Sequence, residues 1–260
     1  MRDIAFGFLA ICLAVSLTDG CARSTAPQGG STADARRVAD NGYMDAPVIT
    51  SSRREGAAIV LSGRAVPASR IMLGGGLGRT VSATADAEGR WNVAVEVDEA
   101  PRMLTLRATT GDQVVRFEQD LLATPSGRVV TLRAGAGAVT SDPPGTPRMA
   151  AFDFDSQGAA VVSGAAPTGA LLSLRLNGRQ VGTGRVEASG WFHMPLPQPI
   201  SGLNQKVEVL GDTFQLESTF DVTPAAALAG GAYRVLSGPD AVRVDWTTPG
   251  GGVQSTWVLN

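Results

Sequence analysis

One stretch of about thirty residues occurs twice in this chain, and that repetition constrains the fold more than any other feature. Residues 62–91 read SGRAVPASRIMLGGGLGRTVSATADAEGRW, and residues 163–191 read SGAAPTGALLSLRLNGRQVGTGRVEASGW. At an offset of 100 residues, several positions of the first copy recur without a gap: Pro67, Gly78, Arg79, Val81 and Trp91. Spaced identity of this kind indicates two copies of one structural unit. We therefore expect two small tandem domains.

The composition and local patterns of both copies favour β-structure. Glycine (32) and proline (15) are plentiful, which suits short strands joined by tight turns better than long helices. The segment Trp91–Val97 alternates apolar and polar residues, which is the period of a strand with one buried face. Asn177-Gly178 lies between two apolar segments and is a strong hairpin signal. We predict an all-β chain in which each copy is a β-sandwich.

Residues 1–21 are predicted to be a signal peptide that ends at Cys21. The apolar run Ile4–Val15 is too short to span a bilayer as a stable helix and is typical of the core of a secretory signal. The sequence SLTDGC that follows resembles a bacterial lipoprotein signal, which implies that Cys21 is lipidated and becomes the mature N-terminus. The alternative is an ordinary signal peptide cut nearby, which would leave a soluble secreted protein.

The remaining chain divides by composition into five segments. We expect residues 22–45 to be a flexible tether, because small polar residues cannot bury enough apolar surface to offset the entropy of ordering. The first domain is predicted over 46–134 and the second over 148–224, joined by a hinge linker at 135–147 that is crowded with proline and glycine. Residues 225–260 are predicted to be a C-terminal β extension, which either completes the second sandwich or forms a small sheet of its own.

The motifs of the two copies carry a family resemblance. SGRAVPAS…DAEGRW and SGAAPTG…NGRQVG…EASGW resemble bacterial immunoglobulin-like domains of cell-envelope proteins. That resemblance implies two tandem immunoglobulin-like β-sandwiches that serve as spacers, adhesion units or binding platforms and have no catalytic residues. Trp91 and Trp191 open strands at equivalent places of the repeat, so we expect each to fill the core of its own sandwich.

Few residues in the body of the chain could support catalysis or metal binding. Both cysteines, Cys12 and Cys21, lie in the first 21 residues, and the single histidine, His193, is predicted to be a satisfied strand residue. Asp153 and Asp155 could share a calcium ion, but further oxygen ligands at regular spacing are missing, which favours solvated acids at a strand edge. We predict no cofactor, no metal site and no enzymatic activity; a hydrolase with a carboxylate pair is the less favoured alternative.

The predicted partners follow from charge and from the aromatic residues of the tail. The net charge of −2 argues against a nucleic-acid partner, because phosphate binding needs clustered positive charge. Tyr233, Trp246 and Trp257 lie in the unrepeated tail beside a PGGG loop. Aromatic residues are enriched in binding sites, so these three are the candidate contacts for a partner or glycan. The alternative is that both tryptophans pack under the sheet.

These observations favour a non-catalytic, envelope-anchored lipoprotein with a structural or interaction role of the adhesion or scaffold type. Its expected partners are the membrane, through the N-terminal lipid anchor, and an envelope protein or polysaccharide. Ala22 follows Cys21 where the lipoprotein family commonly has aspartate for retention at the inner membrane, which favours the outer membrane. The runner-up is a carbohydrate-binding protein for peptidoglycan or surface polysaccharide.

Overall fold

The computed structural model of this chain describes residues 44–75, 79–96, 100–141, 145–238 and 241–259. The predicted signal peptide, the lipidation site Cys21 and nearly all of the predicted tether lie outside the described residues. Within the described ranges all regular secondary structure consists of β-strands, which confirms the all-β prediction. The described residues belong to one compact unit that begins at Met44.

The first copy folds into two facing sheets with the strand order of an immunoglobulin-type sandwich. Its strands are β1 (Val48–Glu55), β2 (Ala58–Arg64), β3 (Arg70–Gly75), β4 (Arg79–Thr84), β5 (Arg90–Glu96), β6 (Arg102–Thr110) and β7 (Gln113–Arg116). One sheet has the order β1-β2-β5, and the other contains β4-β3-β6 with β7 paired to β6. Buried and exposed residues alternate strictly along β5, as expected for a strand with one face in the core.

The second copy repeats this arrangement. Its strands are β11 (Arg148–Asp155), β12 (Ala160–Ala165), β13 (Leu171–Leu176), β14 (Arg179–Arg185), β15 (Trp191–Pro195), β16 (Gly202–Leu210) and β17 (Gln215–Val222). They pair in the orders β15-β12-β11 and β14-β13-β16-β17. The irregularity between Ile49 and Ser51 in the first copy recurs between Met149 and Ala151 in the second. The prediction of two tandem sandwiches is confirmed.

Six further strands lie outside the repeat. Three follow the first copy: β8 (Asp120–Ala123), β9 (Val129–Leu132) and β10 (Val139–Thr140). They continue the sheet from the first residues of β6. Three form the C-terminal tail: β18 (Tyr233–Ser237), β19 (Ala241–Thr247) and β20 (Val253–Leu259). Because β20 pairs with β11, the tail completes the second sandwich as part of a six-stranded sheet, β15-β12-β11-β20-β19-β18.

The strands β8–β10 pack against the outer face of this six-stranded sheet. We call the contact the joint; it consists of β8–β10 and residues 133–138 on one side and the outer face of the six-stranded sheet on the other. An apolar cluster of buried residues fills it: Leu122, Val130, Leu132, Ala138, Ala151, Val244, Trp246 and Val258. The described part of the predicted hinge therefore contains a short strand, β10, and a fully buried residue, Ala138.

The hydrogen bonds of the turn before β5 and of the turn before β15 match at an offset of 101 residues. The backbone N–H of Asp86 donates to the carbonyl of Arg90, and the N–H of Glu187 donates to the carbonyl of Trp191. The loop between the paired residues Arg54 and Ile59 is one residue shorter than the loop between the paired residues Phe154 and Ala160. The expected offset of 100 is therefore wrong by one residue where β2 pairs with β5 and where β12 pairs with β15.

This shift changes the place of Trp191. Trp91 lies in the first core, but Trp191 lies on the outer face of its sheet, in a small cluster with Ala150 and Ala165. The guanidinium carbon of Arg148 lies 5.3 Å from the centre of its ring. The prediction that Trp191 fills its own core is wrong, because the extra residue turns its side chain to the opposite face.

Candidate functional site

The polar contacts of the joint centre on Asp153, whose side chain is buried, so the expectation of a solvated acid is wrong for this residue. The backbone N–H of Ala138 donates to Asp153 Oδ2 at 2.8 Å. On the other oxygen, Thr256 Oγ1 donates at 2.6 Å and Gln254 Nε2 at 3.1 Å. Ala138 belongs to the segment between β9 and β10, whereas Gln254 and Thr256 lie on β20. A single carboxylate therefore ties the connecting segment to the sheet of the second sandwich.

The protonation of Asp153 reflects two opposed influences. Burial raises the pKa of Asp153 to about 6, against the opposing effects of its three hydrogen-bond donors and of the positive charge of Arg133. Removal of a carboxylate from water disfavours its charged form, and donors favour it. The joint thus holds a carboxyl group that titrates closer to neutral pH than an ordinary aspartate.

Asp155, the second acid of the calcium hypothesis, has a different role. Its Oδ1 accepts the backbone N–H groups of Gln157 and Ala159 at 2.8 Å and 3.0 Å, which is the usual use of aspartate in a turn. In the part of the chain that the structure describes, no three carboxylate, histidine or cysteine side chains group as metal ligands would.

His193 lies at the side of the joint, in contact with Arg133. Arg133 Nη2 lies 3.0 Å from His193 Nε2 and 3.2 Å from Nδ1, and Ser163 Oγ lies 3.2 Å from Nδ1. Burial and the nearby charge of Arg133 lower the pKa of His193. Arg133 also donates to the carbonyls of Ala136 and Gly137, so this arginine folds the connecting segment back onto itself and against the sheet.

Trp246, one of the three predicted contact residues, is an internal part of the joint. Its side chain is 2% exposed. The indole Nε1–H donates to Thr256 Oγ1 at 3.1 Å, and Thr256 in turn donates to Asp153. The structure therefore places Trp246 in the packing arrangement that the sequence left as an alternative to partner contact.

Tyr233 and Trp257 lie on opposite faces of the six-stranded sheet. Tyr233 pairs directly with Trp246 across β18 and β19 and is 36% exposed. Trp257 is half-buried against the core of the second sandwich, and its Nε1–H donates to the carbonyl of Asp221 at 3.0 Å. Only Tyr233 among the three presents a substantial surface to solvent, and only Tyr233 and Trp246 are neighbours.

A second buried charge cluster lies on the inner face of β19. Asp245 is fully buried and accepts hydrogen bonds from Arg243 Nε at 2.8 Å, Arg234 Nη2 at 2.6 Å and Ser255 Oγ at 2.7 Å. Burial acts to raise the pKa of Asp245, but the three donors outweigh it and hold the pKa below its usual range. Arg243 itself lies 5.0 Å from the ring centre of Phe154. The side chains of Arg234, Arg243 and Ser255 all donate to Asp245 within the protein, so the cluster is structural.

Sequence reasoning missed the residues that build the joint. Gln254 and Thr256 lie in the predicted C-terminal β extension, on the face of β20 that also carries Val258. That face could not be recognised as buried, because its cover comes from β8–β10, over a hundred residues away in the chain. Arg133 lies near the end of the predicted first domain, and the sequence carried no signal that it contacts the second.

The comparisons with known proteins give no family. No family model matches this chain, and no curated protein matches it. Among solved structures it is similar to the central fibronectin-III array of RIM-binding protein (17% identity, 78% of this chain and 71% of that chain, TM-score 0.25). It is also similar to the BSP domain of a biofilm-associated protein (16% identity, 70% of this chain, TM-score 0.23), of which it spans only 30%.

Because both TM-scores are low, the immunoglobulin-type assignment rests on the strand order and packing of this chain itself. The described residues contain no helix of the length and hydropathy needed to cross a membrane.

Proposed function

We propose that this chain is a non-catalytic structural or interaction module of the adhesion or scaffold type, held at the cell envelope by a lipid on Cys21. In this proposal the two sandwiches act as one rigid spacer that holds their interaction surfaces at a fixed distance from each other. The observation that carries the proposal is the joint, in which the connecting segment is itself packed.

The joint differs from an ordinary contact between domains. Contacts between domains of one chain are usually polar enough to permit relative motion. Here an apolar cluster of eight buried residues spans the contact, and buried hydrogen bonds to Asp153 reinforce it. Gln254 Oε1 adds a bond from the backbone N–H of Gly135 at 2.9 Å. Such a contact supports transmission of force or position from one sandwich to the other.

Two neighbouring glycines provide a matched test of rigidity. Gly137 has φ +78°, and a methyl group there would overlap Ser163 Oγ and lie 2.9 Å from Val161 Cγ1. Gly135 has φ +68°, but a methyl group there would meet no atom within 4 Å. Both Gly→Ala variants bear the cost of a left-handed backbone, roughly 1–2 kcal/mol. Only Gly137→Ala crowds the joint.

We expect small-angle scattering to show the same particle dimensions for wild type and Gly135→Ala, and a broader distribution of dimensions for Gly137→Ala. Limited proteolysis should cut the Gly137→Ala variant faster within residues 135–147. Equal broadening in both variants, or a wild type that already samples many dimensions, would be evidence against a rigid spacer.

The anchor requires a separate experiment. Intact mass of the protein from its native membrane fraction, compared with Cys21→Ala, should show a mature chain that begins at Cys21 and carries added acyl mass. An unmodified soluble wild type would exclude the anchor and leave a secreted or periplasmic module.

The carbohydrate-binding alternative stays a prediction. Stacking on a sugar needs an open aromatic face, and among the three candidate aromatics Tyr233 has the largest exposed fraction. A pull-down on peptidoglycan tests this alternative: binding by wild type and its loss in Tyr233→Ala, with an unchanged melting temperature, would favour it over the scaffold.

A further inference from the structure

We propose that β18 is an open sheet edge through which two copies of this chain pair antiparallel, about a twofold axis at Val235. Among the described strands, β18 pairs only with β19 and ends the six-stranded sheet. A strand at such an edge presents a row of backbone groups that another strand can bind. This inference concerns the assembly of the protein and does not depend on the lipid anchor.

The backbone hydrogen bonds at the two ends of β18 fix the direction of every group between them. Thr247 N–H donates to the carbonyl of Ala232 at 2.9 Å, just before the strand. Gly238 N–H donates to the carbonyl of Ala241 at 2.9 Å, just after it. Between these points the pairing with β19 runs without a register shift. Bonded and non-bonded pairs therefore alternate regularly along the strand.

From this alternation, Arg234 and Leu236 direct their backbone groups toward β19. The N–H and C=O groups of Tyr233, Val235 and Ser237 point away from the sheet. These outward groups are spaced as an antiparallel partner strand requires.

Three other edge strands of the two sandwiches carry features that discourage pairing. The edge strands β1 and β14 each lie beside a register irregularity, and β17 carries Glu217 and Asp221. In contrast, the only charged residue of β18 is Arg234, and its guanidinium is drawn back onto Asp245 of the neighbouring strand. Bulges and charges protect edges from association, and β18 has neither an irregularity nor an uncompensated charge.

The sequence of β18 is complementary to itself in the antiparallel direction. With Val235 opposite Val235 of the second copy, Tyr233 faces Ser237 and Arg234 faces Leu236. No two like charges are opposite, and the pairing covers Leu236, which is 46% exposed. Each outward pair exchanges two hydrogen bonds, so the two strands would share about six. This charge and backbone complementarity favours a second copy as the occupant.

The test measures association of the full chain carrying Cys21→Ser, which keeps acylation out of the experiment, by sedimentation velocity over a wide concentration range. Val235→Pro removes an outward N–H and no bond to β19, because proline is tolerated where an edge N–H faces solvent. Leu236→Arg and Leu236→Glu form a matched pair, since each would face Arg234 of the second copy. Circular dichroism and melting temperature establish that each variant folds.

We expect a concentration-dependent dimer for the parent chain. Val235→Pro and Leu236→Arg should weaken dimerisation about tenfold or more, because they block the central hydrogen bonds or place like charges opposite each other. Leu236→Glu should dimerise at least as tightly as the parent. A parent chain that is monomeric at every concentration would overturn the proposal. A dimer that survives Val235→Pro and Leu236→Arg, or that both Leu236 variants weaken equally, would overturn it as well.

Discussion

Phe192 holds in the second sandwich the place that Trp91 holds in the first. Trp91 lies opposite Gly63 across two strands, and Phe192 lies opposite Gly164. In both copies the aromatic ring covers the glycine so closely that an added methyl group would overlap it. The two rings are buried, so the glycine and the ring form one packing unit that recurs in each copy.

Truncation of either ring should destabilise the protein far more than truncation of Trp191. Trp91→Ala and Phe192→Ala each empty a core position, which costs about 3–5 kcal/mol. Trp191→Ala should cost less, because Trp191 belongs to a small cluster whose other buried members are alanines. Urea unfolding of the three variants measures the free energies. An equal or larger loss for Trp191→Ala would contradict the assigned register of the repeat.

Substitution of the glycine by alanine tests the same glycine–ring packing unit. In Gly164→Ala the new carbon would overlap the Phe192 ring and the carbonyl oxygen of Arg148, and overpacking of this kind costs about 1–3 kcal/mol or more. Gly182→Ala is the control, since its methyl group would approach only Leu174 Cβ, at 4.0 Å. We expect a clear drop in melting temperature for Gly164→Ala alone. Equal melting temperatures would show that the ring moves aside freely.

The sequence was sufficient to predict the two sandwiches and most of their strands, because turn signals and alternation are local properties. The strands β1 and β11 were missed for opposite reasons. Residues 48–55 include two arginines and a glutamate, so they have little apolar alternation, whereas all but the ends of residues 148–155 are buried. A strand covered on both faces has no period of two. One face of β11 packs in the core of the second sandwich, and β8–β10 cover its other face at the joint.

The register of the repeat could not be predicted, because the alignment of identical residues in the two copies disagrees with the pairing of their strands. Trp91 and Trp191 align at an offset of 100. In the structure, however, the position of Trp191 on β15 corresponds to that of Arg90 on β5, because Trp191 pairs with the last residue of β12 as Arg90 pairs with the last residue of β2. An extra residue in one turn leaves the strands intact and turns the side chains of β12 and β15 to the other face relative to the alignment. The two identical tryptophans in the alignment therefore hide a glycine–ring contact that recurs in both copies and that only the strand pairing reveals.

Asp153 should make the stability of the protein depend on pH in a defined window. Its pKa of about 6 in the folded protein lies above the ordinary value of 3.8, so the folded state retains a proton that the unfolded state has released. The stabilising contribution is fully present below about pH 4 and is lost as pH rises through about 6. A difference of about two pKa units corresponds to about 3 kcal/mol.

Asp153→Asn removes this titration. Between pH 4 and pH 7.5 the difference in unfolding free energy between wild type and variant should move in favour of the variant by about 2–2.5 kcal/mol, measured by urea unfolding at each pH. Both proteins in this comparison should carry His193→Gln, because His193 also lies at the side of the joint. Parallel pH profiles for the two proteins would show that Asp153 does not titrate in this window.

The Arg243–Asp245 pair should show strong energetic coupling. Asp245 is 0% exposed and Arg243 5%, so removal of either partner alone leaves a buried charge with less compensation, which costs about 3–5 kcal/mol. The double variant Arg243→Met, Asp245→Leu removes both charges, and the remaining partner, Arg234, can turn to solvent because 41% of its side chain is exposed.

The double variant should therefore lose about 1–3 kcal/mol less than the sum of the single losses. The contribution of Asp245 is present above the ordinary aspartate pKa and is lost as pH falls through its lowered folded-state pKa, so the coupling should shrink in acid. Urea unfolding of the four proteins at neutral and acid pH measures both effects. Additive losses at neutral pH would show that the two charges are stabilised independently, by Ser255, Arg234 and the carbonyl of Thr223.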